Sequence, residues 1–379
     1  MPVELPVRPG EAVALADLVF EHLEGRPLTG DARARLAARL TGLKLESLRP
    51  YAGSLVRDNV HRSAYYLPVD GLSGPAPVPL LLRVALASAP SSAVFPRALL
   101  VGRMRPASGR EVVVNAVPFG PRDTANIRAF AEVLDRAFLP RPQGALPAIV
   151  VGSGHPESAL PAAFEAFRQI LKNTGVNWAS IQASYEAGLW AAIRAGWREG
   201  YSAGGGPIVA AGNADAGRIH ETIRDAAGCS RFTIDAFRAP ELQAQPRTWS
   251  DAEAGEFERP FTIGDFSYVF TREELDCLET KFGHGLRLAE ELYDFIRRTK
   301  AESGLGRSFD FELSLEAAAT PTTPKQLIFC LHWLKTHGRA AQLVSPNLNL
   351  DAVEELVPRP LVPLPNGRCA RISLADLVN

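Results

Sequence analysis

Cysteine is scarce in this chain. Its 379 residues include four, Cys229, Cys277, Cys330 and Cys369. Their wide spacing fits neither a zinc knuckle nor the disulfide framework that staples small secreted domains. Reduced thiols in a cytoplasmic protein are the plain expectation. Long apolar runs are also missing: none approaches the roughly 18 residues of a membrane span. The N-terminal stretch "MPVELPVRPGEAV" has no basic start followed by an apolar segment, so it does not read as a secretory signal. Neither sign of charge dominates. Lys and Arg number 41 against 42 Asp and Glu, a net charge of −1, and the two signs are mixed along the chain. Without a basic stripe there is no footprint for nucleic acid. Nor is there a dinucleotide fingerprint, because "GSGHPES" lacks the third glycine and the acidic partner.

What is present is an ordinary globular composition, 46% apolar, in a chain long enough for two domains or for one large barrel with an appendage. Up to about residue 60 the segments "GEAVALADLVFEHL" and "DARARLAARLTGL" carry apolar residues at helical spacing. Extended runs follow, "VPLLLRVALA", "FPRALLVGRM" and "REVVVNAVPF", the last two joined by the hairpin turn "RPASG". Residues 1–140 therefore read as helices followed by antiparallel sheet. They end in an amphipathic helix, Thr124–Leu139, capped by Asp123 or Thr124.

From residue 145 to 379 the rhythm becomes strand–helix alternation. The strands are "AIVVGSG", "NWASIQ", "GPIVAAGNAD", "SRFTIDAF", "SFDFELSL" and "RAAQLVSP". Gly175 closes the first helix, and a long helix before Gly304 has a break expected at Gly283. Such alternation implies an α/β fold with a parallel sheet, read here as a TIM-like (β/α) parallel barrel behind an N-terminal α+β section. Fewer strands are legible than the eight a complete barrel needs. An open flank would then be covered by the N-terminal section, the C-terminal tail or a second subunit, making a homo-oligomer an expected partner arrangement.

In a parallel barrel the chemistry sits at the C-terminal strand ends. Those positions hold Ser153 and His155, Gln182, Asn213 and Asp215, Asp235, Asp310 and Glu312, and Ser345 and Asn347. The stretch Ser308–Leu315 alternates strictly: Phe309, Phe311, Leu313 and Leu315 take one face, and Asp310, Glu312 and Ser314 the other. Converging carboxylates repel unless a proton or a cation lies between them. Acids with imidazole or amide neighbours suit a divalent cofactor such as Mn²⁺, Mg²⁺ or Zn²⁺. Crowding by other acids predicts that Glu312→Gln leaves the fold as stable or slightly more so. Phe309 and Phe311 are expected to pack beneath the helix "KQLIFCLHWLKTH". For each acid the plain alternative is a structural ion pair, and for Asp215 a helix cap. His220, His332 and His337 fit helix surfaces or ends. The stretch "YSAGGGP" reads as a flexible loop or, less simply, as an anion cradle.

The segments "WREGYSAGGGPIVAAGNADAGRIHETIRDAAGCSRFTID" and "SFDFELSLEAAATPTTPKQLIFCLHWLKTHG", with "SIQASYEAGLW", resemble the tagaturonate epimerase family over about residues 150–345. The resemblance implies a barrel enzyme of hexuronate metabolism that interconverts tagaturonate and fructuronate with a divalent metal, and a diverged, C-terminally shortened member. By matching position it implies Asp215, Asp235 and Glu312 as metal ligands, with Glu312 and Asp235 also as catalytic residues; the reading of the strand ends places His155, Gln182, Asn213 and Asp310 around the substrate. The family's Asp-Ala-Asp-His run reads here as Asn213, Ala214, Asp215, Ala216. The two sugar acids differ at a carbon β to the ketone, which simple enolisation cannot invert. The routes are reversible aldol cleavage or transient oxidation; with no nucleotide-binding motif in the sequence, aldol cleavage is preferred, with a metal as Lewis acid and a carboxylate moving the proton. Arg97, Arg218, Arg231 and Lys300 are candidates to hold the substrate carboxylate. The alternative function is a non-catalytic barrel that binds a carbohydrate or serves in assembly.

Overall fold

The computed structural model describes residues 7–23, 26–72, 74–95, 100–105, 107, 109–145, 148–152, 163–164, 166–167, 173–178, 181–210, 216–237, 250–316, 320–348, 361–363 and 369–371. The fold is mixed α/β in two compact units, one of residues 1–141, 148–178 and 183–203, the other of 142–147, 179–182 and 204–379. Among the described residues no helix is long and apolar enough to cross a membrane.

The first unit opens with α1 (Pro9–Leu23) and α2 (Gly30–Gly42), the latter capped by the Thr29 hydroxyl, which accepts from the Ala32 amide at 3.3 Å. An antiparallel sheet follows, of β1 (Leu48–Pro50), β2 (Val56–Arg57), β3 (Ala64–Gly71), β4 (Val78–Leu86), β5 (Leu100–Met104) and β6 (Val112–Pro118). Its order is β1-β3-β4-β6-β5, with β2 also on β3. Leu15, Val19, Leu36 and Leu40 of the helices pack on Leu67, Leu82 and Val114 of the sheet, as helical and period-two spacing require.

The helix expected over Thr124–Leu139 is broken. An α-helical turn, α3 (Thr124–Ala129), passes into a π-helical turn at Phe130–Leu134 and then a 3₁₀ turn at Arg136–Phe138. Asp135 causes the break: it is extended (φ −142°, ψ 93°) and its carboxylate accepts from the Ala137 amide, a local bond that competes with helix continuation. Further on, β7 (Ala148–Gly152) pairs in parallel with β8 (Asn173–Trp178), and β9 (Ser202–Gly205) completes that sheet. Gly175 lies inside β8 opposite Val150, so it closes no helix. The helix after β8 is α4 (Ile181–Ala195).

The second unit is built on a parallel sheet of order β10-β11-β14-β15, where β10 is Ile208–Val209, β11 Arg231–Asp235, β14 Asp310–Ser314 and β15 Leu343–Ser345. Around it run α5 (Ala216–Asp225), α6 (Asp251–Gly255), a hairpin of β12 (Phe261–Ile263) and β13 (Phe266–Tyr268), α7 (Arg272–Ser303) and α8 (Pro324–Thr336). A short pair, β16 (Leu361–Pro363) and β17 (Cys369–Arg371), lies farthest along the chain. Phe232 stands opposite Phe311 and Ile234 opposite Leu313 in the parallel register. These four side chains share the apolar face. The sequence suggests the Lys325–His337 helix as cover for Phe309 and Phe311. The ring that packs on both is Tyr293 of α7, with centroids 5.1 and 5.2 Å away.

Helix α7 is continuous through Gly283. It starts at a capping box between Thr271 and Glu274 and stops at Gly304, whose φ of 68° is the left-handed conformation glycine tolerates best. Near its end Lys300 is buried, and its ammonium donates to the carbonyls of Ala227 and Cys229 at 3.0 and 2.6 Å. It therefore ties α7 to the turn before β11 and is not placed to hold a substrate. Burial pushes its pKa down from 10.5 to about 8. Between those values the unfolded chain holds a proton that the folded chain has lost, so unfolding free energy rises with pH across the window. Below about pH 8 both states are charged and the dependence disappears. Urea titrations from pH 7 to 10.5 should show wild type gaining roughly 3 kcal/mol relative to Lys300→Met. Parallel curves for the two proteins would disprove the assignment.

Candidate active site on the polar face of the parallel sheet

The other face of the β10-β11-β14-β15 sheet is polar, and the register stacks it in layers. Arg231 lies opposite Asp310, and Thr233 opposite Glu312. Asp235 pairs with Val209, and Ser314 with Ser345, in the layer at the C-terminal strand ends. Six polar side chains in three layers repeat the period-two alternation seen in the sequence, now on two adjacent strands.

Glu312 is the most elaborated of these. One carboxylate oxygen accepts from the Thr233 hydroxyl at 2.7 Å and the other from the Ser345 hydroxyl at 2.8 Å, so neighbouring strands grip it from both sides. The Arg231 guanidinium is 3.8 Å from the same oxygen that Thr233 contacts. Among the described residues the charge paired with Glu312 is thus a cation, not the crowd of carboxylates the sequence suggests. The expectation for Glu312→Gln reverses. Removing the charge leaves a largely buried arginine without its counter-ion, and should cost about 1–3 kcal/mol in urea unfolding. A variant as stable as wild type would show the ion pair to be energetically empty.

Arg231 also explains the glycine run. A Cβ at Gly204 would lie 2.8 Å from Arg231 Nε, and one at Gly205 would lie 2.4 Å from the Ile181 backbone. The stretch is the buried strand β9, small because a guanidinium and the start of α4 press against it, and not a flexible loop. Among the described residues neither Arg231 Nε nor the Ser314 hydroxyl, both buried, has a hydrogen-bond partner. Two donors on one polar face are therefore open to an acceptor.

Asp235 ends β11 and is fully buried; its carboxylate accepts from the Phe237 amide at 3.2 Å. Asp310 is committed elsewhere. Its two oxygens accept from the amides of Gln143 and Gly144 at 2.7 and 3.0 Å, at the N-terminal end of β14. That ties residues 143–144 to the N-terminal end of β14, away from the C-terminal strand ends where Asp235 and Ser314 lie. Gln182 sits in the first turn of α4, not at the end of a strand. Arg218 is exposed on α5. His155, Asn213, Asp215, Ser153 and Arg97 lie outside the described residues. Among the described residues no three of His, Cys, Asp and Glu converge to hold a metal ion. The described side chains alone therefore do not make the expected metal site. Thr233 has no place in the sequence reading. The alternation Arg231-Thr233-Asp235 would have exposed it, since the rule that groups Asp310 with Glu312 groups these three.

No protein-family model and no curated protein matches the sequence. Solved structures do. The chain is similar to the glycerol-complexed crystal structure of fructuronate-tagaturonate epimerase UxaE from Cohnella laeviribosi, with a TM-score of 0.54 at 15% identity, over 84% of this chain and 62% of that one. The native structure of the same epimerase gives 0.53 at 15% identity, over the same shares of both chains. A form with two glycerols gives 0.54 at 15% identity, over 83% and 60%. At this identity the likeness is one of fold, and this chain spans 60–62% of the length of the structures it matches.

Proposed function

We propose that this chain is an isomerase of the epimerase type acting on a sugar acid, with tagaturonate and fructuronate as the first substrates to test. The observation that carries the reading is the polar sheet face. It combines a carboxylate fixed from two strands, a second carboxylate at a strand end, a cation, and two donors that have no partner among the described residues. The fold shared with the epimerase structures supports it. Inversion at the carbon β to a ketone requires a base to take the proton of that carbon's hydroxyl while the bond to the α carbon breaks. An enediolate and an aldehyde result, and re-addition to the opposite aldehyde face inverts the centre. Asp235, at the strand end, takes and returns the proton. The Ser314 hydroxyl, in the layer of Asp235, donates to the enediolate or a sugar oxygen. Glu312 holds Arg231 in place and orients a substrate hydroxyl.

The test is incubation of the purified chain with either sugar acid, with and without Mn²⁺, Mg²⁺ or Zn²⁺, followed by NMR of the products. Interconversion is expected, reduced about 10²–10⁴-fold in Asp235→Asn. One observation favours the second reading, a non-catalytic binding barrel: both Glu312 oxygens are already occupied by protein hydroxyls. Sugar-acid binding without turnover in wild type, unchanged in Asp235→Asn, would establish that reading instead. Thr233→Val separates positioning from chemistry. It should cost about 1 kcal/mol of stability and lower turnover without abolishing substrate binding.

A further inference from the structure

A cleft of about 940 Å³ in the first unit is lined by four arginines, Arg33, Arg57, Arg62 and Arg136, with Asp58 and Asp135 as its acids. Both acids are already engaged. Asp58 accepts from the amides of Val60 and His61 at 2.8 and 3.0 Å and faces the His61 ring at 3.3 Å. Asp135 takes the Arg198 guanidinium at 2.9 Å and the Ala137 amide at 3.1 Å. Arg198 is itself held by the Gly53 and Leu55 carbonyls and lies over the Phe138 ring at 4.2 Å. It belongs to the wall, not to the cleft.

Among the described residues Arg33, Arg57 and Arg62 have little to neutralise them. Among the described residues Arg57 donates to neutral acceptors, the carbonyls of Arg62 and Arg26, both at 2.8 Å. Arg33 is 3.9 Å from Asp135, which Arg198 already neutralises, and Arg33 Nε is buried with no hydrogen-bond partner. Arg62 is exposed at the rim. The Arg33 charge helps burial to push the Arg198 pKa down to about 10, a sign of cations crowded around one carboxylate. Guanidinium forks match phosphate oxygens two at a time, and a concave group of them concentrates field on a small anion. Net charge over the whole chain is only −1, so this is a local site and not a face for nucleic acid.

We propose that this cleft binds a phosphate-bearing small molecule through Arg33, Arg57 and Arg62. The site is separate from the polar sheet face and stands whether or not the chain is an epimerase. The full-length chain is titrated at constant ionic strength with inorganic phosphate, inorganic pyrophosphate, glucose 6-phosphate and glucuronate, read by calorimetry and thermal shift. Saturable binding is expected for the phosphate compounds, with glucuronate at least tenfold weaker. The free-anion and ester arms tell which source is preferred. Arg57→Gln and Arg62→Gln should each weaken binding about tenfold or more, the size of one charge-assisted hydrogen bond. Arg103→Gln, at an exposed pair on β5, should change nothing. Because Arg57 also braces a loop, Arg62→Gln decides if Arg57→Gln misfolds. No saturable binding, equal binding of glucuronate, or wild-type affinity in Arg62→Gln would each overturn the proposal.

Discussion

Phe311→Ala is expected to cost about 3–5 kcal/mol of unfolding free energy, the usual result of emptying a fully buried aromatic site. Phe311 is completely buried at the centre of β14, opposite Phe232 on β11. Its ring meets Tyr293 of α7 edge to face, at 5.2 Å and 88° between planes. The cavity would form between sheet and helix, where the backbone is least able to collapse. The Phe311 amide is held by the Gln342 side chain, and its carbonyl by the Gln342 amide. The strand cannot slide to refill the space. Phe309 is only half-buried, so Phe309→Ala should cost less than half as much. Urea unfolding of the three proteins measures this. A loss below about 1 kcal/mol for Phe311→Ala would mean that the apolar face is not packed as described.

Gly285→Ala should also be strongly destabilising, against the direction helix propensity gives. Gly285 is in the interior of α7, where alanine is favoured over glycine by about 1 kcal/mol. A Cβ there, however, would lie 2.5 Å from one carbon of the Phe237 ring and 2.8 Å from the Ala236 carbonyl. Helix and strand end would have to separate, at about 1–3 kcal/mol net of the propensity gain. The displaced residues follow Asp235 directly, and the Phe237 amide donates to its carboxylate. Under the proposed function, turnover should therefore fall with stability. Gly283→Ala is the control. Its nearest contact would be the end of the Glu279 side chain and not a ring or backbone on another element, so its loss should be smaller. Equal or higher stability of Gly285→Ala would show that the helix does not press on β11. Circular dichroism of thermal unfolding reads the sign.

The candidate face was half legible in the sequence. Strict alternation placed Asp310 and Glu312 together because a strand's side-chain period admits no other arrangement. Alternation says nothing of partners. Asp310 is claimed by amides more than 160 residues earlier in the chain, and Glu312 by hydroxyls on the two adjacent strands. Two acids that look equivalent in "FDFEL" therefore differ: one ties residues 143–144 to β14, the other faces a cation. The glycines misled for a related reason. Gly175, Gly283 and the run Gly204–Gly205 read as breaks or loops when only local conformation is considered. Each lies inside a strand or helix, and Gly204, Gly205 and Gly285 give up a side chain so that another element can approach.

By itself the sequence determined that helices precede an antiparallel sheet, that the later strands lie parallel, and which side of β14 is polar. These follow from periodicities of 3.6 and 2 and from strand–helix alternation, all of which act over short stretches of chain. Only the tertiary structure decided which acid meets a cation, which lysine is buried, which helix covers the aromatic face, and that four arginines line one cleft. Those outcomes depend on register and on contacts between distant segments. Their energies are set by burial and by the nearest opposite charge, and no window of local sequence contains either.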